Sequence, residues 1–481
     1  MSLRELEARL AGELDLLGLP ARAWLTPRAG VRDVVVVGAG LSGLCGAAAL
    51  RFLGIADVEI LDRAPAGREG PWVTFARMNT LRTPKEATGP ALGVPSLTPR
   101  AWYVARFGAA AWDALERIPR ETWMEYLVWY RRVLDLPVRN GVSVRQVRPR
   151  ADGLIEVHTD AGAEPVLARR VVLATGLDGL GGPLVPDVAR SVDPRFWAHS
   201  SAPLDVARLR GRRIAVVGAG ASAMDNAAHA LEAGAASVDI LVRRPAMPRV
   251  DKFSGVGSRG TAHGFRDLPL ETRARLLRLD QAAQLPAPRA SVLRVSRHPH
   301  ARFHFGCPIQ AMTEAGDTVR VRTPRGEAGF DFVVFATGFV VDAMRRPELS
   351  AIAPQLLLWR DVRDAPAAGA ADASASNPVL GAAFELQPKS PQASPFLDRI
   401  HAFNHAAVAT HGKLTSGIPS ISDGARRLAQ GIVGSLFVED RDEFVRRFAD
   451  YDVPELLGDE WTEAERLDDP VPPPLREQET S

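Results

Sequence analysis

The hydrophobic positions of the chain follow one arrangement twice: a valine-rich run, a glycine turn, an alanine-rich stretch and a second apolar run. Residues 33–63 read DVVVVGAGLSGLCGAAALRFLGIADVEILDR, and residues 212–244 read RRIAVVGAGASAMDNAAHALEAGAASVDILVRR. A continuous apolar run that ends in glycine predicts a strand buried on both faces, and an alanine-rich stretch predicts a helix. Each stretch therefore predicts a strand, a tight turn, a helix and a second strand.

Two strand endings also match each other. The first, VVLATG, ends at Gly176, and the second, DFVVFATGF, reaches its glycine at Gly338. The first repeated unit is separated from its ATG turn by a helix, TWMEYLVWYRRVLDL, and by two polar strands around SVRQV and LIEVHT. Because one ATG turn follows each repeated unit, we expect the chain to leave a first domain, build a second one as an insertion and return.

The predicted fold class is α/β, with two Rossmann-like dinucleotide-binding domains, the second inserted into the first. We expect the first domain to comprise residues 1–200 and 331–469, and the second to comprise residues 201–330. The tail, residues 470–481, reads as disordered, because its prolines and polar residues offer nothing to bury.

Length and charge narrow the class of protein. A chain of 481 residues is long enough for two or three domains. The formal charge of +2 comes from 59 basic and 57 acidic residues, so no strong field attracts nucleic acid or a membrane surface. No apolar run is long enough to span a bilayer. We expect a small-molecule enzyme without a nucleic-acid or membrane partner.

Cysteine usage points to a reducing compartment. The chain has two cysteines, Cys45 and Cys307, too far apart for a redox pair of the CxxC type and too few for a disulfide framework. We therefore predict a cytoplasmic location. His298, His300 and His304 resemble a metal cluster, but no cysteine or carboxylate stands at ligand spacing, so no metal is predicted.

The first glycine turn has the spacing of a dinucleotide site. Its first glycine permits a sharp turn, its second lets a pyrophosphate approach the backbone, and its third lets the helix pack on the strand. The helix N-terminus then faces phosphate. An aspartate closes the second strand, where it can accept hydrogen bonds from a ribose with a free 2′-hydroxyl, as in FAD or NAD. The predicted contacts in this unit are Gly38, Gly40, Leu41, Ser42, Gly43, Asp62 and Arg63.

The second turn differs at the end of its second strand. Ala223 replaces the third glycine, and two arginines stand where the first unit has its acid. Guanidinium groups suit a 2′-phosphate, so NADPH is favoured over NADH. The predicted contacts are Gly218, Gly220, Ser222, Arg243 and Arg244.

Two dinucleotide turns in this order, each followed by an ATG turn, resemble the two-domain flavin monooxygenases. These include flavin-containing monooxygenases, Baeyer–Villiger enzymes and microbial N-hydroxylases, and the resemblance covers most of the chain. It implies FAD, NADPH and molecular oxygen as reactants. In such enzymes NADPH reduces the flavin, and a C4a-hydroperoxyflavin then delivers one oxygen atom to a small substrate. Glutathione-reductase-like enzymes share the architecture but need a cysteine pair that is absent here.

The segment after the first unit carries the resemblance further. GREGPW, which ends at Trp72, is similar to the family's glycine turn and tryptophan beside the flavin. NTLRTPKE follows, with Arg82 where flavin-containing monooxygenases have an asparagine and with Lys85 three positions on. The resemblance implies that Arg82 and Lys85 contact the substrate or the oxygenated flavin, as catalytic residues. FWAHSSAPLD, with His199, matches the Baeyer–Villiger fingerprint only faintly.

The C-terminal segment resembles the last flavin-contacting part of these enzymes. THG, residues 410–412, is similar to an N-hydroxylase element and gives His411 as a third catalytic candidate. Ser422 and Asp423 are expected to cap the terminal helix and to direct its positive end at the flavin. Asp423 is thus a further predicted cofactor contact. Gly176 and Gly338, which end the two ATG turns, are also predicted to contact the cofactors.

The substrate is the open part of this interpretation. The stretches GPW, MNTLRTPKE and ALGVPSLTPRAW resemble bacterial FAD-dependent urate hydroxylases, and two basic residues suit an anion such as urate. Hydroxylation of an amine such as lysine or ornithine is an alternative, supported by TLRTP and THG. A non-oxygenating NADPH–flavin reductase and a non-catalytic nucleotide-binding redox sensor are two more.

Overall fold

The computed structural model describes residues 1–363, 374–390, 395–461, 463 and 466–468. The chain divides into a large unit, residues 1–433, and a C-terminal unit, residues 434–481. The predicted disordered tail, residues 470–481, lies outside the described residues. In the described part, no helix is both long enough and apolar enough to cross a membrane.

The large unit alternates helices with strands. The helices are α1 Leu3–Leu16, α2 Leu41–Phe52, α3 Pro99–Phe107, α4 Ala109–Ala114, α5 Arg120–Val133, α6 Ala221–Glu232, α7 Arg259–Gly264, α8 Leu270–Ala283, α9 Arg289–Ser296, α10 Val408–His411, α11 Ile421–Glu439, which continues into the C-terminal unit, and α12 Arg441–Ala449, which belongs to it. The strands are β1 Val31–Val37, β2 Val58–Asp62, β3 Val138–Asn140, β4 Val144–Pro149, β5 Ile155–Thr159, β6 Val166–Leu173, β7 Gly181–Pro183, β8 Trp197–His199, β9 Arg213–Val217, β10 Ser237–Val242, β11 Ala301–Phe305, β12 Ala311–Ala315, β13 Thr318–Thr323, β14 Gly326–Phe330, β15 Phe332–Phe335, β16 Phe339–Val341 and β17 Ile400–His401.

The first sheet is built around the first valine run. Its order is β3-β2-β1-β6-β5-β4, and β17 pairs with β6. Strands β3, β2, β1, β6 and β17 are mutually parallel, whereas β4 and β5 form an antiparallel extension. Val34, Val35 and Val36 are completely buried. Burial on both faces explains why β1 is uninterrupted in its apolar character rather than alternating.

The second sheet is built in the same way around the second valine run. Its order is β11-β10-β9-β15-β8, and all its pairings are parallel. The five strands lie between residues 197 and 335, a range slightly wider than the predicted limits of 201 and 330. Strands β12, β13 and β14 form an antiparallel meander within this range, and β7 pairs with β16. The fold is therefore α/β with parallel-strand sheets.

Each ATG turn packs directly against the first glycine of its own unit. A Cβ atom on Gly38, whose φ is +106°, would lie 2.5 Å from the carbonyl oxygen of Ala174. A Cβ atom on Gly218 would lie 2.5 Å from the carbonyl oxygen of Ala336. Because real Cβ atoms do not approach backbone oxygen that closely, both positions require glycine. The matched endings noticed in the sequence are therefore two copies of one contact.

The third position of the turn explains why one unit has glycine and the other alanine. A Cβ atom on Gly43 would lie 1.8 Å from the carbonyl oxygen of Gly38. In the second unit Gly218 has a φ of +141°, and Ala223 carries a buried Cβ. The second turn therefore differs in backbone conformation at its first glycine and accepts a methyl group that the first cannot.

The C-terminal unit, described by itself, is short and open. No side chain of α12 is buried. Phe437 and Phe444 stack within the unit with ring centroids 4.4 Å apart. Phe448 and Tyr451 are largely exposed.

Substitution of the third glycine tests this account of the turn. Because the added methyl meets backbone that cannot move aside, Gly43→Ala is expected to lower the free energy of unfolding by about 2–3 kcal/mol. The matched change Ala223→Gly removes a methyl without a clash and is expected to cost about 1 kcal/mol through helix propensity. Thermal unfolding followed by circular dichroism measures both, and equal losses would contradict the steric argument.

Candidate functional site

The first glycine turn leaves backbone donors open. Helix α2 begins after Gly40, and no side chain caps it. The first N–H groups of a helix have no partner within the helix, so those of α2 can meet a ligand. A Cβ atom built on Gly40 would have nothing within 4 Å except the Cα of Gly70, at 3.9 Å. The turn therefore offers unpaired N–H groups and open space, which is what a pyrophosphate needs.

The side chains around this turn are already organised by the protein. One carboxylate oxygen of Asp62 accepts a hydrogen bond from the N–H of Ala39 and the other from the N–H of Ala64, both at 2.7 Å. The hydroxyl of Ser42 donates to the carbonyl of Thr415, at 2.7 Å. Arg63 is exposed and lies 3.4 Å from a carboxylate oxygen of Asp178. Asp62 thus fixes the turn from the position predicted for ribose contact, while Ser42 keeps only its N–H for a phosphate.

The tryptophan predicted beside the flavin lies next to the glycine turn. Trp72 follows Gly70, whose Cα faces Gly40. Its ring meets that of Trp123 edge-on with centroids 6.0 Å apart, and its carbonyl accepts a hydrogen bond from Arg120 at 2.6 Å. The indole N–H of Trp72 is buried without a partner among the described residues. A buried donor of this kind is normally satisfied, so this one is available to a bound group.

A buried asparagine that sequence reasoning missed ties this region together. The amide of Asn404 donates to the carbonyl of Leu173 at 2.9 Å and to the hydroxyl of Thr175 at 3.3 Å, and its oxygen accepts from the N–H of Ala406. Its backbone carbonyl accepts from the hydroxyl of Thr415 at 2.6 Å. Because Thr415 also receives the Ser42 bond, Asn404 links the first ATG turn to the glycine helix. No local motif marks it.

The second glycine turn is similarly open. Helix α6 begins after Gly220 without a side-chain cap, and Ser222 is exposed in its first turn. The ring of His199 lies 2.9 Å from the carbonyl of Gly338 through Nε2, while Nδ1 lies 2.8 Å from the hydroxyl of Ser201. Burial lowers the pKa of His199. A neutral imidazole therefore holds the second ATG turn.

The two arginines predicted to read a 2′-phosphate have different surroundings. Arg244 donates to the side chain of Gln284 and to the carbonyls of Gln281 and Ala282, at 2.7–2.9 Å, and so caps the end of α8. Arg243 is exposed and makes no hydrogen bond or ion pair with a described residue. Of the pair, only Arg243 has its guanidinium available.

The two basic residues predicted to be catalytic also differ. Arg82 is exposed, and its guanidinium donates to the carbonyl of Pro286 at 2.9 Å. The ammonium of Lys85 donates to the carbonyl of Trp112 at 2.8 Å and lies over the Trp112 ring. Lys85 therefore caps α4, which is a structural reason for its presence. Both catalytic roles stay predictions.

His411 and Asp423 make contacts that the sequence did not indicate. Nε2 of His411 donates to the carbonyl of Gly381 at 2.9 Å, and Nδ1 accepts from Arg427 at 3.1 Å. Both ring nitrogens are thus used inside the protein. Asp423 pairs with Arg259 at 2.7 Å, and Ser422 bonds the 89–92 loop, so neither is seen to cap α11. The catalytic role of His411 and the cofactor contact of Asp423 also stay predictions.

The remaining predicted contacts lie in the two ATG turns. The carbonyl of Gly176 accepts from the N–H of His405 at 3.1 Å, and that of Gly338 also accepts from the N–H of Leu184 at 2.9 Å. Both glycines have positive φ. Within the described ranges, no group of three or more His, Cys, Asp or Glu side chains is placed to hold a metal ion.

Two buried histidines predict acid sensitivity. Burial and the neighbouring Arg427 lower the pKa of His411 to about 3, and burial lowers that of His401 to about 4. Below about pH 6.5 the unfolded chain binds protons that the native state refuses, so stability falls as pH falls, by about 1.4 kcal/mol per pH unit for each histidine. The melting temperature should drop between pH 7 and pH 5, and less so in His411→Gln. An equal drop would contradict this account.

Comparison with known proteins places the chain in a family. The profile of the L-lysine 6-monooxygenase/L-ornithine 5-monooxygenase family matches residues 106–295. The chain is 41% identical over 467 residues, 96% of its length and 98% of the relative's, to the FAD-dependent urate hydroxylase of Xanthomonas campestris pv. campestris. Its fold is similar to that of the ornithine hydroxylase of Pseudomonas aeruginosa, with 20% identity, a TM-score of 0.63 and coverage of 84% and 100% of the two chains. It is also similar to that of the Kutzneria sp. 744 ornithine N-hydroxylase, in a structure with reduced FAD, NADP⁺ and L-ornithine. There the identity is 16%, the TM-score is 0.63, and the match covers 84% of this chain and 99% of the other. The chain belongs to the flavin-dependent monooxygenase family.

Proposed function

We propose that this enzyme is an FAD- and NADPH-dependent monooxygenase that hydroxylates urate. The observation that carries the proposal is the 41% identity to a urate hydroxylase, because it extends over 96% of the chain. The ornithine hydroxylases share the fold at 20% identity or less. Identity at that level supports the architecture but gives no support for ornithine as the substrate of this chain.

The first glycine turn fits FAD. Its open N–H groups at α2 suit the pyrophosphate, and Asp62 stands at the end of β2, the position from which a carboxylate contacts ribose. The unpartnered indole N–H of Trp72 is a further donor beside the turn. When bound, FAD supplies the redox chemistry, which is acceptance of a hydride and activation of molecular oxygen.

The second glycine turn fits NADPH. It repeats the open helix start, and Arg243 at the end of β10 has an available guanidinium for a 2′-phosphate. On this basis the chain has two Rossmann-like dinucleotide-binding domains, with the NADPH domain inserted into the FAD domain. The strands of the second sheet support limits near residues 197 and 335 for the insertion.

The loop after Trp72 and the segment at the start of α5 each contribute two arginines, which suit an anionic substrate. Arg77 and Arg120 are electrostatic neighbours, and so are Arg82 and Arg117. Of these four arginines, only Arg120 has a carboxylate of a described residue within 4 Å, that of Glu121. Burial and then Arg120 lower the pKa of Arg77, whose Nε is buried without a hydrogen bond. Asp251 and Asp225 act on Arg82 only from beyond 4 Å. Cations without a carboxylate in direct contact favour an incoming anion, and urate is an anion at neutral pH.

The protein's part in the reaction is to bind, orient and exclude water. Trp72 and Trp123 supply apolar ring surface beside the first turn. Asn404 and His199 fix the two ATG turns and hence the ends of the strands that flank both cofactor positions. A fixed, water-poor surrounding protects an activated oxygen species from wasteful discharge.

One substitution pair tests the NADPH assignment. Because Arg243, unlike Arg244, has no hydrogen-bond or ion-pair partner among the described residues, Arg243→Ala is expected to raise the KM for NADPH by about tenfold. That is the size of a lost charge-assisted hydrogen bond, and little effect on the KM for NADH is expected. Arg244→Ala is expected to lower the melting temperature instead, since it uncaps α8. Steady-state kinetics with both nucleotides decide, and a larger loss of NADPH preference in Arg244→Ala would overturn the assignment.

Substrate-dependent oxidation of NADPH tests the function itself. Purified enzyme loaded with FAD is mixed with NADPH and oxygen, and urate, ornithine or lysine is added in turn, with hydrogen peroxide measured as leak. We expect urate alone to accelerate NADPH oxidation with little added peroxide. Acceleration by ornithine or lysine alone would identify an N-hydroxylase. Acceleration by none, with turnover on an anaerobic acceptor, would identify a reductase, and absence of any multiple turnover a nucleotide sensor.

A further inference from the structure

A group of polar side chains outside both glycine turns surrounds one ammonium. The Nζ of Lys413 lies 3.8 Å from a carboxylate oxygen of Asp251 and 4.0 Å from the ring centroid of Phe253. Asp280 and His405 are electrostatic neighbours of the same ammonium. Lys413 is only half-buried, and its ammonium makes no hydrogen bond with a described residue. Its ammonium therefore has three donors to offer.

Two neighbours of Lys413 also lack hydrogen-bond partners for their side chains. The Nδ1 of His405 is buried and has no hydrogen-bond partner in the described part of the chain, and burial followed by Lys413 lowers the pKa of that ring. The partly buried carboxyl of Asp280 makes no hydrogen bond with a described residue, and burial raises its pKa. Buried polar groups in proteins are normally paired. Lys413, whose ammonium has an ion pair but no hydrogen bond, lies beside an acid and a neutral imidazole whose side chains lack a described hydrogen-bond partner, and the three together indicate a place for a polar ligand.

The position of this group relates it to the cofactor sites. The backbone N–H of His405 donates to the carbonyl of Gly176 in the first ATG turn. The carbonyl of Thr415, two residues beyond Lys413, accepts a hydrogen bond from the hydroxyl of Ser42 in helix α2. Asp251 and Asp280 come from the other direction, from the segment between β10 and β11 of the second sheet. The group thus combines residues of the 405–415 segment, which contacts the first ATG turn and α2, with residues of the segment between β10 and β11.

We propose that Lys413, Asp280 and His405 form the subsite for the polar edge of a small planar anion that carries both N–H and C=O groups. This rests on the proposed function, for which the ligand is urate. Lys413 donates to the anionic oxygen, Asp280 accepts a ring N–H, and the neutral imidazole of His405 supplies a further acceptor. Asp251 holds the ammonium of Lys413 in place, and Arg82 is an electrostatic neighbour of Asp251.

Lys413 is the residue that tests the subsite most directly. Lys413→Met removes the ammonium and keeps a side chain of similar length, whereas Lys413→Arg keeps the positive charge and the hydrogen-bond donors. Lys252→Met is the matched control, because Lys252 is exposed beside Asp251 in sequence and has no partner among the described residues. Each variant is prepared as the FAD-loaded enzyme. Urate binding to the oxidised form is measured by calorimetry, and the KM values for urate and NADPH are measured in turnover.

The subsite makes a graded prediction. Loss of a charge-assisted hydrogen bond should raise both the Kd and the KM for urate by about tenfold or more in Lys413→Met, with partial recovery in Lys413→Arg. Lys252→Met should change neither by more than about twofold. A urate KM in Lys413→Met within that control range, while wild-type enzyme responds to urate, would overturn the subsite and leave the function standing. Wild-type enzyme that neither binds nor responds to urate would overturn both.

Discussion

The structure depends on a contact between backbone atoms that occurs twice. In each sheet the chain leaves the strand next to the central valine strand and lays an alanine carbonyl against the first glycine of the turn, 2.5 Å from where a Cβ would stand. This contact fixes the end of β6 against the α2 turn and the end of β15 against the α6 turn. The open space lies at the second glycine of each turn, where a Cβ atom on Gly40 or Gly220 would meet nothing closer than 3.9 Å, and it leaves the N–H groups of both helix starts to a ligand.

Each ATG turn is then held by one buried polar side chain from a different part of the chain. Asn404 bonds the strand end before the first turn and the threonine within it, and His199 bonds the glycine of the second. Through Thr415, Asn404 also fixes the glycine helix. The geometry at both candidate cofactor positions thus depends on hydrogen bonds between segments remote in sequence, and rigid support of this kind is what positioned chemistry requires.

The sequence predicted the parts of the fold and site that depend on neighbouring residues. Strand, turn and helix follow from local apolar periodicity and from glycine, so the two units and their ATG endings were foreseeable. Long-range partners were not: Arg244 and Lys85, both predicted to contact a ligand, donate to carbonyls at the ends of α8 and α4, which the sequence did not indicate. His411 is a catalytic candidate because of its motif, and the sequence did not indicate that both its ring nitrogens have partners within the protein. Lys413, one of four lysines in an arginine-rich chain, follows that motif directly and was not among the predicted site residues.

The central claim is that oxygen is inserted into urate and not merely reduced, and isotope labelling tests it most directly. The FAD-loaded enzyme is supplied with NADPH, urate and ¹⁸O₂, and the product is analysed by mass spectrometry. The account predicts one ¹⁸O atom in the product for each NADPH consumed, with the second atom appearing in water. An unlabelled product, with all the label recovered as hydrogen peroxide, would contradict it.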